Sequence, residues 1–226
     1  MLSGFDLREA RRRRGWTQAQ AADRLGVSQA YVSLFEHGIR PVSRRLLARV
    51  QREYALQPTA WPFVDGAHCD PEQLAAALGG LGYPGFAHLK SRQRLNPAQA
   101  LLLALKQDRL DSRTAAALPW VVLEYPDLDW GWLVERVKVG DCQNKLGFVV
   151  GLARQVAAYR YETDVANRLT LVEQQLERSR LAREDSLGQA DMTDAERRWL
   201  RRHRPDGARR WNLLTDLRLE HLDYAT

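Results

Sequence analysis

Short sets of apolar residues at helical spacing follow one another from the beginning of the chain. Leu7 and Ala10 lie three positions apart and predict the inner face of a first helix, which Gly15 ends. The inner faces of the next three predicted helices are the sets Ala21, Ala22 and Leu25; Val32 and Phe35; and Leu46, Leu47 and Val50. The pattern therefore predicts four short helices in the first quarter of the chain.

Polar residues and glycines mark the ends of these helices. Thr17, Ser28 and Ser43 stand where a side-chain oxygen can accept a hydrogen bond from a free backbone N–H of the first turn. Gly26 and Gly38 stand where a helix ends and a positive φ is tolerated. Two short helices joined by a turn of about three to four residues that contains glycine form the helix-turn-helix pattern.

The helix that begins at Ser28 is expected to be about nine residues long, which is short for a core element. Its first turn is expected to expose Gln29 and Ala30, and its second turn Ser33 and Leu34. These features suggest a helix that contacts a partner.

Positive charge is concentrated in the same segment. The chain contains 34 Lys and Arg and 28 Asp and Glu, and its net charge is +6. Residues 1–57 contain 11 Arg and 5 acidic residues, so they carry the whole excess. Such clustering is the electrostatic footprint of phosphate binding. Cations also stabilise a helix C-terminus, so we expect about two of the four arginines at 11–14 to contact phosphate.

The first quarter of the chain resembles the lambda-repressor-like DNA-binding domain of the XRE family of bacterial and phage regulators. The resemblance covers residues 4–56 and is carried by Leu7, Arg8, Ala10 and Arg11, followed by the stretch GWTQAQAADRLGVSQAYVSLFEHG. It implies that the second helix of the pair enters the major groove with its N-terminal residues toward the base edges.

The resemblance also implies roles for individual residues. Gln29 and Ala30 would face bases, with Ser33 and Leu34 beside them, while Thr17 and Gln18 would meet phosphate. Family members commonly have a polar or basic residue at the position of Leu34, whose side chain can touch a thymine methyl but cannot hydrogen-bond a base. The complete set of predicted DNA-binding residues is Arg14, Thr17, Gln18, Ser28, Gln29, Ala30, Ser33, Leu34 and Arg40.

The rest of the chain also has helical periodicity and no lasting alternation of period two. Predicted helix starts lie at Asp70, Asn96, Ser112, Asp129, Asp141 and Thr193. Pro119 is expected to interrupt the run from Ser112, and the longest periodic helix is expected near residues 164–184. We therefore predict an all-α chain with a helix-turn-helix domain at 1–57, a linker at 58–69 and a larger helical domain at 70–226.

The second domain contains residue types that can bind metals or take part in catalysis, but they do not form a catalytic pattern. Cys69 and Cys142 lack metal-type spacing, and we expect two reduced thiols in a cytoplasmic protein. The stretch AHCD at 67–70 has no second cluster to complete a metal site, and GGLGYPG at 79–85 lacks the ending of a phosphate loop. No apolar run is long enough to span a membrane. We expect neither an enzyme, nor a metal or cofactor, nor a membrane protein.

Several aromatic and basic residues are candidates for a partner surface: Trp130, Trp132, Trp199 and Trp211. Five arginines surround Trp199, at 197, 198, 201, 202 and 204, and form either a solvated face or a contact with nucleic acid or an acidic partner. The leucines of the C-terminal tail could pack on their own domain or in a partner's groove. The stripe Leu169, Val172 and Leu176 could equally lie in the core or in a homodimer interface.

These observations favour a DNA-binding transcriptional repressor that binds double-stranded operator DNA, as a homodimer. The large, electrically neutral second domain without catalytic residues suggests the autoregulating antitoxin of a toxin–antitoxin pair, whose second domain binds the cognate toxin. The alternative is a stand-alone XRE-type regulator whose second domain dimerises or senses a ligand. A nucleic-acid-modifying enzyme is a third class, for which the sequence offers no residues.

Overall fold

The structure is a computed structural model that describes residues 3–64, 66, 68–89 and 94–225, except for the side chain of Arg44. The chain is all-α, as predicted, with 62% of its residues helical. It separates into two compact units, Met1–Asp65 and Gly66–Thr226. The predicted linker at 58–69 includes residues 65 and 67, which lie outside the described residues.

The first unit contains four α-helices and one 3₁₀ turn within its described residues. They are α1 (Gly4–Arg13), α2 (Gln18–Leu25), α3 (Gln29–Glu36), α4 (Arg44–Glu53) and the 3₁₀ turn Pro58–Ala60. Helix α3 packs against α1 and α2, and α4 packs against α2. The predicted inner-face residues are buried, except that Leu47 is half-buried.

Residues that were predicted to form part of the linker belong to this first unit. The indole Nε1 of Trp61 donates to the backbone carbonyl of Leu56 at 3.3 Å. This hydrogen bond ties the segment after the 3₁₀ turn to the end of α4, so the unit extends beyond residue 57.

The second unit contains eight α-helices within its described residues. They are α5 (Pro71–Gly80), α6 (Pro97–Leu105), α7 (Ser112–Glu124), α8 (Trp130–Val139), α9 (Gln143–Tyr159), α10 (Thr163–Glu177), α11 (Asp194–His203) and α12 (Asp206–Arg210). Two-residue strands, β1 (Asp185–Ser186) and β2 (Leu213–Leu214), pair in parallel. Short 3₁₀ turns occur at Pro84–Phe86 and Leu219–His221.

Helix α9 is the centre of this unit, because α7, α8, α10 and α12 all pack against it. It is buried on most of its circumference, which is typical of a central helix. The stripe Leu169, Val172 and Leu176 of α10 is buried in the monomer, where α10 lies along α9. Of the two interpretations of this stripe, the structure shows the core.

Helix α10 ends at Glu177, earlier than the predicted residue 184. The side chain of Asn144 accepts from the backbone N–H of Leu181 and donates to its carbonyl, both at 2.9 Å. Gln143 donates to the carbonyl of Ser179 at 3.1 Å. These amides take the backbone groups that a longer helix would have paired internally.

Two further predicted helix boundaries were wrong. Pro119 lies inside α7, because the helix is buried from Thr114 to Pro119 and again at Val121 and Val122, and this burial outweighs the lost hydrogen bond. The carbonyl of Ala116, one turn earlier, accepts a hydrogen bond from the Tyr224 hydroxyl at 2.7 Å. Asp141 does not cap α9: its φ is +54°, and the helix begins two residues later.

Trp211 lies in the core rather than on a partner surface, and this corrects the prediction. It is 1% exposed. Its ring occupies the space beside Gly147, where a Cβ would lie 2.4 Å from two ring carbons. Leu214, Leu217 and Leu222 of the tail are also buried. The tail therefore packs on its own unit.

The two cysteines lie in the second unit. Cys69 and Cys142 are both buried and form no disulfide among the described residues, and burial raises the pKa of each thiol. The described residues contain no group of three His, Cys, Asp or Glu side chains placed to hold a metal ion. None of the described helices combines the length and the apolar character that crossing a membrane would require.

Candidate nucleic-acid interface

A three-residue turn, Gly26 to Ser28, connects α2 and α3. Gly26 has a φ of +66°, in the left-handed region that favours glycine. Arg49 donates to the carbonyl of Leu25 at 3.1 Å, and a Cβ on Gly26 would lie 2.8 Å from the same guanidinium nitrogen. Glycine at this position therefore permits the left-handed turn and also leaves space for the Arg49 side chain that hydrogen-bonds to Leu25.

The first turn of α3 is exposed and well formed. The Ser28 hydroxyl accepts from the backbone N–H of Tyr31 at 3.2 Å, as its predicted N-cap role requires. Ser28, Gln29 and Ala30 are all exposed. The N-terminus of a helix carries a partial positive charge, which favours a polyanion nearby.

The second turn of α3 is less exposed than predicted, because Ser33 and Leu34 are half-buried. The carbonyl of Leu34 accepts from the backbone N–H groups of Ile39 at 3.0 Å and Arg40 at 3.3 Å. This folded turn places Arg40 beside Tyr31. The Arg40 guanidinium lies 5.3 Å from the centre of the Tyr31 ring. Ser33 and Leu34 therefore lie beside the exposed tip, and Arg40 is exposed at the other end of α3.

A buried ion pair fixes α3 against α1. Arg11 Nε donates to Glu36 Oε1 at 2.6 Å, and Arg11 Nη2 donates to Glu36 Oε2 at 3.0 Å. Arg11 also donates to the carbonyl of Trp16 at 2.6 Å, and Gln18 donates to Glu36 Oε2 at 3.1 Å. Hydrogen bonding to Glu36 raises the pKa of Arg11. Arg11 is therefore a structural arginine, and Glu36 joins α1, α2 and α3.

The predicted site residues did not include Arg11 or Glu36, although the sequence contains a signal for both. Arg11 follows the core residue Leu7 by four positions, and Glu36 follows Val32 by four. Residues four apart share a helix face, so both charges lie on inner faces. Buried charges of opposite sign are expected to pair.

Trp16 holds two further arginines at the edge of the helix pair. The guanidinium of Arg24 lies 4.5 Å from the centre of its ring, and that of Arg14 lies 5.7 Å away. Tyr54 meets the ring edge-on with centroids 6.0 Å apart, and burial raises the pKa of the Tyr54 hydroxyl. Arg14 and Arg24 are exposed, so both are accessible to phosphate.

Thr17 and Gln18 stand at the start of α2, directly after Trp16. The Thr17 hydroxyl accepts from the backbone N–H of Gln20 at 3.2 Å, while Gln20 Oε1 accepts from the Thr17 N–H at 2.8 Å. Gln18 is half-buried and its amide is oriented by Glu36. A phosphate at the start of α2 would meet an N-terminus already ordered by this capping box.

The residues predicted for a partner surface are spread over the second unit. Trp130 and Trp132 are half-buried at the start of α8, and Trp211 is in the core. Trp199 on α11 is 52% exposed and stacks on His203, with ring centroids 4.5 Å apart. Of these four residues, only Trp199 presents a large aromatic surface.

Residues 4–60 match the family model described as Helix-turn-helix domain. Comparison with the curated proteins and with the solved structures found no match to the chain. The match covers the first unit except for its ends, and it agrees with the geometry of α2, the turn and α3. The match supports a helix-turn-helix DNA-binding domain at residues 4–60, and this domain suggests a DNA-binding regulator.

Proposed function

We propose that this protein is a sequence-specific transcriptional repressor of the XRE type that reads duplex DNA with the N-terminal turn of α3. The observation that carries the proposal is the exposure of Ser28, Gln29 and Ala30 on a helix held rigidly by the Arg11–Glu36 pair. A fixed helix end with polar side chains suits base edges in the major groove.

The charge distribution supports the same proposal. Residues 1–57 carry the whole net charge of +6. Arg14, Arg24 and Arg40 are exposed around the helix pair, each beside an aromatic ring that orients it. Phosphate contacts of this kind position a protein on DNA, while α3 would supply the sequence preference.

The proposal predicts different effects for Gln29 and Arg14. The full chain selects duplexes from a random pool, and affinities are measured for the selected duplex and for random DNA. Gln29→Ala is expected to cost about 1–3 kcal/mol on the selected duplex and little on random DNA. Arg14→Ala is expected to weaken binding to both and to reduce the salt dependence.

Gln155→Ala is the matched control, because Gln155 is exposed on α9 of the second unit. It is expected to leave both affinities unchanged. Equal weakening of selected and random DNA by Gln29→Ala would show that Gln29 does not read bases.

The antitoxin role is a second candidate, and one observation favours it. The junction of α9 and α10 exposes Tyr159 by 61% and Tyr161 by 91%, and Tyr161 has a φ of +60°. Tyrosine is enriched at protein interfaces, and a bulky residue in the left-handed region is uncommon. A toxin encoded by a neighbouring gene would then dock on the second unit.

The antitoxin role is tested genetically. The neighbouring gene is expressed alone, with this protein, and with its Tyr159→Ala/Tyr161→Ala variant. An antitoxin would relieve a growth defect that the variant does not relieve. If the product of the neighbouring gene is harmless without this protein, the antitoxin role is wrong. The stand-alone repressor, with a second unit that dimerises or senses a ligand, then remains as the proposal. The proposed role in either case is non-enzymatic.

A further inference from the structure

Helix α11 divides its basic residues between two faces. Arg201 and Arg204 both pair with Glu184, at 2.7 and 3.3 Å. Arg204 also donates to the carbonyl of Leu213, and Arg197 donates to the carbonyls of Met192 and Ala190. This face ties α11 to its own unit.

The neighbouring face of the helix presents arginines to solvent. Arg198 and Arg202 are four residues apart and exposed, and no ion pair of theirs occurs among the described residues. Trp199 lies between them in sequence and stacks on His203 at an interplanar angle of 23°. Arg218 donates to the carbonyl of His203 at 2.7 Å and so adds a third exposed guanidinium at the end of the helix. These five residues are called the α11 basic face below.

We propose that the α11 basic face is a second DNA contact, which binds the phosphodiester backbone of the duplex that the helix-turn-helix unit holds. This inference rests on the proposed DNA-binding function. Guanidinium groups bind phosphate oxygens with a planar pair of donors, and Arg198 and Arg202 have no carboxylate to displace within the described residues. Side chains four apart on a helix lie about 6 Å from each other, so both can reach one strand.

Charge complementarity identifies phosphate as the occupant. The second half of α11 carries the exposed cations, while the acidic residues Asp194 and Glu196 lie in its first turn. Glu196 is occupied by the capping box with Thr193, and nearby Asp191 is occupied by Arg109. A second contact with a duplex that the first unit already binds adds to the total affinity even when it is weak by itself.

The slope of log K against log salt concentration measures the number of phosphates neutralised, at about 0.9 per phosphate. The full chain is titrated with a random-sequence duplex of about 40 base pairs between about 50 and 200 mM salt. Arg198→Ala/Arg202→Ala is expected to reduce the magnitude of the slope by about 1.8. Arg198→Lys/Arg202→Lys is expected to retain most of it, because lysine also neutralises phosphate.

The matched control is Arg183→Ala/Arg209→Ala, which removes the same charge from exposed arginines that pair with Asp141 and Asp206. It is expected to leave the slope close to that of the unmodified chain. Trp199→Ala is expected to weaken binding several-fold without changing the slope, because an indole contributes buried contact area but no charge.

The outcomes separate this inference from the proposed function. The second contact is wrong if Arg198→Ala/Arg202→Ala leaves the slope unchanged, or if the control pair reduces it equally. The α11 basic face would then be expected to bind an acidic protein instead. In that case the unmodified chain would still bind DNA, and Gln29→Ala would still affect the selected duplex alone. If the unmodified chain binds no duplex, both the proposed function and this inference are wrong.

Discussion

Arg11 and Glu36 are the residues on which the geometry of the DNA-binding unit most depends. The Glu36 side chain is fully buried and the Arg11 side chain is 11% exposed, so their charges are largely removed from water. Such a pair does little for stability compared with apolar residues of the same size, but loss of one partner leaves an uncompensated charge. The orientation of α3 relative to α1 therefore depends on keeping both.

Glu36→Gln is expected to destabilise the first unit by about 3–5 kcal/mol, because it leaves Arg11 without a counter-charge. This loss is comparable to the whole stability of a small domain. Amide hydrogen exchange in α1 and α3 of the full chain measures it. Glu9→Gln is the control, because Glu9 forms a surface pair with Arg12 at 3.2 Å, and is expected to cost less than about 1 kcal/mol. Equal protection in the two variants would contradict a structural role for the buried pair.

Glycine on α9 determines how the centre of the second unit packs. Gly147 faces the indole of Trp211, which is too rigid and too buried to move aside. Gly147→Ala is therefore expected to destabilise this unit by about 1–3 kcal/mol through overpacking, as measured by urea denaturation.

The same substitution at Gly131 on α8 is the control. A Cβ there would lie 3.6 Å from the nearest atom, an oxygen of Asp129. Gly131→Ala is expected to leave the free energy of unfolding unchanged or to raise it by up to about 1 kcal/mol, because alanine favours a helix. If both substitutions stabilise the protein, the close contact between α9 and Trp211 is wrong.

The capping box of α11 makes this helix sensitive to acid. The Glu196 carboxylate accepts from the backbone N–H and the hydroxyl of Thr193, both at 2.7 Å, and these bonds lower the pKa of Glu196 from its ordinary value of 4.5. A lowered folded-state pKa contributes stability above pH 4.5, which is lost as the pH falls through the folded-state value.

We therefore expect the first turn of α11 to lose hydrogen-exchange protection as the pH is lowered below about 4.5, after correction for the intrinsic exchange rate. Glu196→Gln removes the titrating group and is expected to remove this dependence on pH. The NMR titration of Glu196 should give a pKa below its ordinary value; a value at or above 4.5 would contradict the capping box.

Helix starts could be predicted from the sequence where the stabilising group is local. Thr17, Ser28, Asp70 and Thr193 cap the helices that were predicted for them, because a cap needs only its own first turn. Ser43 precedes α4 as predicted, without a side-chain hydrogen bond.

Helix ends and surface assignments failed where the determining contact is distant in sequence. Asn144 ends α10 through Leu181, and Gly147 makes room for Trp211, whose arginine neighbours made it resemble a surface residue. Local patterns carry no information about such contacts.

At the scale of the whole molecule, the two units differ in electrical character. Residues 1–57 carry the net charge of +6, and the remaining residues sum to zero. The second unit nevertheless concentrates exposed arginines on α11. A chain built in this way can bind DNA mainly through the first unit and adjust affinity through a local patch on the second.

A homodimer is the remaining prediction at this scale. One helix-turn-helix contacts few base pairs, and two-fold pairing on a palindrome is the usual way to extend the site. Because Leu169, Val172 and Leu176 are buried, a dimer interface would use other residues, such as the exposed Leu171 on α10.

Sedimentation equilibrium of the full chain is expected to give twice the 25.9 kDa of one chain at micromolar concentration. Duplexes selected from a random pool should contain inverted half-sites about one helical turn apart, because the symmetry of the operator follows that of the protein. Leu171→Glu would separate the chains if α10 forms the interface. Tyr161→Glu is the control, because Tyr161 is also exposed but precedes α10. A monomer that selects a single undivided site would contradict the dimer and require the α11 basic face, rather than a second copy, to extend the contact with DNA.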